Sequence, residues 1–126
     1  MSNHTKVNAE DQELLNKFAR SHQQQTQIKA DLKEAQTLVE NINEACDEIL
    51  LLDDEEAASI PCRIGNCFVH FNQDTLNTHL EGKKVTAEET IKTKSTELEQ
   101  ITAEMEKIKT HLYGKFGDQI NLDSEE

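Results

Sequence analysis

The sequence predicts a mainly α fold, a long antiparallel two-helix coiled coil with one β-hairpin between the helices. Three observations carry this expectation: two apolar seams at heptad spacing, the absence of proline and glycine across the first of them, and a short strand-like island between the two. A seam of two apolar positions per heptad is narrower than the face of a helix packed on a globule, and is the signature of helices that pair along their length.

The first seam steps by four and three through Leu14, Phe18, Ser21, Gln25, Ile28, Leu32, Ala35, Val39, Ile42, Cys46 and Ile49, all apolar but Ser21 and Gln25. Asn8 followed by Asp11 supplies a cap at its start, and the spacing predicts one helix over 11–53. The second seam runs through Leu80, Lys84, Ala87, Ile91, Lys94, Leu98, Ile101, Met105, Ile108 and Leu112, within a helix expected over 73–116. Each seam spans on the order of 50 to 60 Å at 1.5 Å per residue. Gly82 lies inside the second helix, but the heptad register passes through it without a slip, so a continuous helix is expected. The alternative is a kink near Gly82 with a restart at the capping-box pattern Thr86-Ala87-Glu88-Glu89. Ser21, Gln25, Lys84 and Lys94 are polar groups at seam positions, suited to fixing register or marking a solvated section.

Between the helices, the acidic run Asp53 to Glu56 is unfavourable at the negative end of a helix dipole and sets a stop for the first helix. Ile60, Cys62 and Ile64 alternate, Gly65-Asn66 supplies a two-residue turn, and Cys67, Val69 and Phe71 alternate again: a hairpin over 58–71, with Pro61 near its beginning. Phe68 faces away from Val69 and Phe71, so both faces carry apolar groups. A lone two-stranded hairpin is marginal in water, and the chain has no further strand-like segment, so strands of other subunits are expected to complete the sheet. Residues 1–10 are expected to be disordered and 118–126 to form an acidic tail after Gly114 and Gly117 weaken the last turns.

Composition limits function. Of 126 residues, 35% are hydrophobic and 4% aromatic against 30% charged, which leaves little to bury and favours an elongated shape over a globule. The net charge of -12, from 13 Lys+Arg and 25 Asp+Glu, opposes a nucleic-acid partner. No apolar run approaches a membrane span, and residues 1–10 carry no signal-peptide core, so a cytoplasmic protein is expected, compatible with a nuclear pool. Cys46, Cys62 and Cys67 are odd in number and expected to be reduced thiols. Cys62, Cys67 and His70 match no common zinc spacing, with Cys46 and His79 the remaining candidates for a fourth ligand. A Cys–His pair drawn from the same residues lacks an oxyanion donor or a water-excluding pocket. No catalytic residue, metal or cofactor is therefore expected. The apolar residues Leu14, Leu15, Phe18, Leu112, Tyr113, Phe116, Ile120 and Leu122 have two compatible readings: they seal the open end of the coiled coil, or they form a patch for apolar segments of other proteins.

Several strings, in this order around the hairpin, resemble the beta class of prefoldin subunits. They are Asn16-Lys17-Phe18-Ala19-Arg20; Glu44-Ala45-Cys46-Asp47-Glu48-Ile49 with Asp53-Asp54; Ile60-Pro61; Ile64-Gly65-Asn66-Cys67-Phe68-Val69; and Leu112-Tyr113-Gly114-Lys115-Phe116-Gly117 with Ile120-Asn121-Leu122. The resemblance covers the chain from about Asp11 onward and makes 11–117 a prefoldin beta-type domain. Cys62, Cys67 and Gly82 depart from the residue types this pattern leads one to expect. The resemblance implies a hexamer of two alpha-type and four beta-type subunits whose hairpins form β-barrels, here through Ile60, Cys62, Ile64, Gly65, Cys67, Phe68, Val69 and Phe71. It also implies coiled-coil tips that hold unfolded proteins, including actin and tubulin, without ATP, and pass them to the cytosolic chaperonin. On this sequence those tips are Leu14, Phe18, Leu112, Phe116, Ile120 and Leu122. A structural or tethering coiled coil without chaperone activity is the alternative.

Overall fold

A computed structural model describes residues 6–122. Among them the order is α1 (Ala9–Leu50), α2 (Asp54–Ala58), β1 (Ile60–Ile64), β2 (Cys67–Phe71), α3 (Gln73–Phe116) and a 3₁₀ turn (Gly117–Gln119). This is the expected helix–hairpin–helix order with one added helix. The expectation of disorder at 1–10 lies outside the described residues for 1–5 and does not hold for Ala9 and Glu10, which are helical; that of an acidic tail lies outside them for 123–126.

The first helix begins two residues earlier than expected because Asn8 and Asp11 cap it reciprocally. The Asp11 N–H donates to Asn8 Oδ1 at 2.8 Å, and the Asn8 N–H donates to Asp11 Oδ2 at 3.1 Å. It also ends earlier, at Leu50 rather than at residue 53. The N–H groups of Leu51 and Leu52 turn back to the carbonyls of Glu48 and Ile49, at 3.1 and 3.2 Å, in a tightened last turn.

The acidic run does more than stop α1. Asp53 caps α2, accepting the Glu56 N–H at 2.8 Å while Glu56 Oε1 accepts the Asp53 N–H at 3.3 Å. Asp54, Glu55 and Glu56 fill the first turn of α2, where the helix dipole favours negative charge. The hairpin accordingly begins at Ile60 and not at residue 58, since Ala58 ends α2 and Ser59 caps it.

The chain divides into two units, 1–30 with 94–126, and 31–93. In the first, the early half of α1 runs antiparallel to the late half of α3: the Gln25 side-chain amide donates to Thr102 Oγ1 at 3.1 Å, and the Lys115 ammonium reaches Asp11 Oδ2 at 2.6 Å. Every seam position named above is buried or half-buried. Ser21 is buried among them and Gln25 uses its seam position for the bond to Thr102, a contact that ties the register of the two segments.

In the second unit, Ala35, Ile42, Ile49, Leu76 and Ala87 are buried. Asn72 caps α3, its Oδ1 accepting the Thr75 N–H at 2.8 Å. The helix passes through Gly82 unbroken, and Thr86 starts no new helix; its hydroxyl donates to the Gly82 carbonyl one turn back at 3.1 Å. A Cβ added at Gly82 meets nothing within 4 Å. Gly82→Ala is therefore expected to raise stability by about 1 kcal/mol through helix propensity alone, read as a higher midpoint in chemical denaturation.

Candidate functional site: an exposed hairpin and an apolar helix end

Two surfaces correspond to the residues singled out in the sequence. The hairpin lies in the second unit. Its strands pair with Ile60 opposite Phe71, Cys62 opposite Val69 and Ile64 opposite Cys67, so these six share one face, while Arg63 and Phe68 pair on the other. The two-residue turn has positive φ at Gly65 only (60°), the pattern of a type II′ turn, whose twist suits a hairpin. The Arg63 Nε–H donates to the Gly65 carbonyl at 3.1 Å and ties the turn.

The Phe71 ring stacks on His79 of α3 with centroids 5.8 Å apart, which fixes the hairpin on the helix. Even so, Phe68 is 70% exposed, and Ile64 and Val69 are also exposed. The sheet has two strands, and no third strand pairs with either edge among the described residues. Apolar groups are thus presented on both faces of an open-edged sheet.

All three cysteines are free thiols, Cys46 and Cys62 half-buried and Cys67 exposed. Among the described residues no group of three or more His, Cys, Asp or Glu is arranged to hold a metal ion.

The second surface lies at the end of the first unit. Phe18, Met105, Ile108, Leu112 and Phe116 form a buried cluster, with Leu14, Leu15, Ile101, Ile120 and Leu122 packed against it. The structure thus brings all six tip residues of the sequence reading together. It also divides them: Leu112 is fully buried and Phe18 and Phe116 nearly so, whereas Leu14, Ile120 and Leu122 are half-exposed.

Gly117, with φ 58°, takes the left-handed conformation that ends α3 and turns the chain back. Ile120 is then extended, and the Leu122 N–H donates to the Tyr113 hydroxyl at 2.7 Å.

The reading from sequence missed a clasp at this end. Asp11 is almost fully buried, and its carboxylate accepts from Lys115 at 2.6 Å and from the Asn8 N–H. The Lys115 hydrogen bond, aided by the Asn8 backbone and by the charges of Lys115 and His111, lowers the Asp11 pKa below its ordinary 3.8 despite burial. The signal was present: one more step of three outward from Leu14 and from Leu112 lands on Asp11 and Lys115, so an ion pair closes the seam. A lowered carboxyl pKa contributes stability that is complete above 3.8 and is lost as pH falls through the lower folded value. Asp11→Asn is expected to be less stable than the parent at neutral pH, with the gap closing at lower pH, as read by thermal melts over a pH series.

With the geometry established, comparison with known proteins gives a consistent result. The family profile described as "Prefoldin subunit" matches residues 12–119. A Caenorhabditis elegans protein named "Probable prefoldin subunit 4" is 72% identical over 126 residues, the whole of both chains. The human "Prefoldin subunit 4" is 35% identical over 120 residues, 95% of this chain and 89% of that one. The crystal structure of the prefoldin beta subunit from Thermococcus strain KS-1 superposes with a TM-score of 0.73 at 17% identity, covering 89% of this chain and 96% of that one. The arrangement is that of a co-chaperone subunit in which two long helices flank a hairpin. The chain belongs to the prefoldin subunit family, whose members assemble with other prefoldin subunits. No helix among its described residues is long and apolar enough to cross a membrane.

Proposed function

We propose that this chain is a beta-type subunit of a heterohexamer of two alpha-type and four beta-type subunits. This cytoplasmic assembly, compatible with a nuclear pool, binds unfolded proteins such as actin and tubulin without ATP and delivers them to the cytosolic chaperonin. The hairpin, from Ile60 through Phe71, joins the strands of neighbouring subunits in a β-barrel. The apolar end formed by Leu14, Phe18, Leu112, Phe116, Ile120 and Leu122 meets the client. Neither task calls for a catalytic group, a metal or a cofactor.

The observation that best supports this reading is the distribution of apolar surface: an open-edged hairpin apolar on both faces in one unit, and a gathered apolar end in the other. Weak apolar contacts from several subunits act together on a chain long enough to touch them all, so a client is held firmly while each contact breaks easily. Release then needs no nucleotide.

The test is aggregation of denatured actin in the presence of the assembled complex. Phe18→Ser with Phe116→Ser is expected to leave the hexamer intact and weaken suppression of aggregation. Undiminished suppression by an intact complex carrying both changes would remove these residues from the client surface.

A further inference from the structure

The apolar end is already occupied, and the occupant is the chain's own C-terminal segment. After Gly117 reverses the chain, Ile120 is extended (φ −134°, ψ 144°), and Ile120 and Leu122 pack on the cluster of Phe18, Met105, Ile108, Leu112 and Phe116. Two apolar side chains two residues apart are engaged, and one backbone N–H, that of Leu122, is satisfied by the Tyr113 hydroxyl at 2.7 Å.

An extended segment with alternate apolar residues and backbone N–H groups to satisfy is what an unfolded chain offers. We infer that the apolar end is a binding site for extended peptide segments with apolar residues at i and i+2, with Tyr113 anchoring the peptide backbone, and that residues 120–122 are its displaceable internal occupant.

This rests on the client-holding reading and assigns Ile120 and Leu122 a specific part in it: they cover the floor formed by Phe18, Leu112 and Phe116 until a client segment replaces them. The arrangement explains how an end that holds apolar chains keeps Leu112 fully buried and Phe18 and Phe116 nearly so. Ile120 and Leu122 are themselves only half-buried, so part of their own apolar surface stays in solvent while they cover the cluster, and a client segment would re-cover the surface they leave. Tyr113 suits an anchor because its hydroxyl accepts a backbone N–H whatever side chain that residue carries, giving grip without sequence selectivity.

The experiment measures binding of a fluorescent nine-residue peptide, Gly/Ser-based with Ile and Leu two positions apart, to the assembled hexamer by anisotropy. A control peptide of the same composition has Ile and Leu adjacent. Three hexamers are compared: the full chain, the chain ended after Gln119, and that truncation with Tyr113→Phe. Removing the occupant is expected to raise affinity for the alternating peptide several-fold and to affect the control less. Tyr113→Phe keeps the ring and loses the acceptor, and is expected to lower affinity of the truncated form by about 2- to 13-fold, the range for one hydrogen bond.

Equal or weaker binding after truncation overturns the occupant role, and no effect of Tyr113→Phe overturns the anchor. If the full-length hexamer suppresses actin aggregation while truncation changes nothing, this inference alone fails. If no form binds peptide or suppresses aggregation, the client-holding reading fails and takes the inference with it.

Discussion

Leu112→Ala is expected to destabilise the helix end by about 2–5 kcal/mol, the largest single-residue effect on stability we expect in the chain. Leu112 is fully buried and sits among Phe18, Met105, Ile108 and Phe116 in the main cluster of the first unit. Two helices form only one packing layer, so few neighbours stand behind the site to collapse into the cavity, which places the cost high in the range. The loss is local. Amide hydrogen exchange of the last turns of α3 should accelerate by more than tenfold, since about 1.4 kcal/mol corresponds to each factor of ten. The turns of α3 next to the hairpin should keep their protection. Unchanged exchange around residue 112 would mean that the cluster does not hold this end together.

The second large effect is expected at the hairpin. Ile64 is exposed and lies beside the turn, on the face shared with Ile60, Cys62, Cys67, Val69 and Phe71. Ile64→Asp should therefore leave the isolated chain folded, with its helix content by circular dichroism unchanged. In a barrel shared between subunits the same carboxylate would be desolvated without a partner, a penalty of about 3–5 kcal/mol, enough to weaken assembly 10²-fold or more. Co-purification with the other subunits should fail for Ile64→Asp and succeed for Ile64→Val. A variant carrying Asp at this position that still assembles would place Ile64 outside the interface.

Much of this architecture was legible in the sequence because its signals are periodic. The four–three steps from Leu14 to Ile49 and from Leu80 to Leu112 named only positions that the fold buries or half-buries, and Gly65-Asn66 marked the turn. The strings around Phe18, Ile64 and Tyr113 pointed to the family that the comparisons establish.

The misses have physical reasons. Asp53 to Glu56 was read as a stop and not as a start, since acidic residues disfavour a helix C-terminus; the same charges favour a helix N-terminus, and Asp53 and Glu56 form the capping box that starts α2. Thr86 to Glu89 matched the same box pattern but is no miss: the continuous helix expected there forms, and Thr86 bonds to the preceding turn. Asn72 was passed over as a cap, although it directly follows the last strand residue and precedes α3. Leu50, the last residue of α1, and Leu51 just beyond it are exposed, and the seam that ends at Ile49 carries no signal for what two apolar residues do there. The bond from Leu122 to Tyr113 depends on Gly117 turning the chain, a conformation that sequence spacing does not encode.

The central claim is that this chain works as one subunit among different ones. Native mass spectrometry of the tagged chain, isolated from its own cells, tests it most directly. The account predicts a complex of six small chains, with this chain present once alongside distinct alpha-type and beta-type subunits, whereas a free monomer or a homodimer would contradict it.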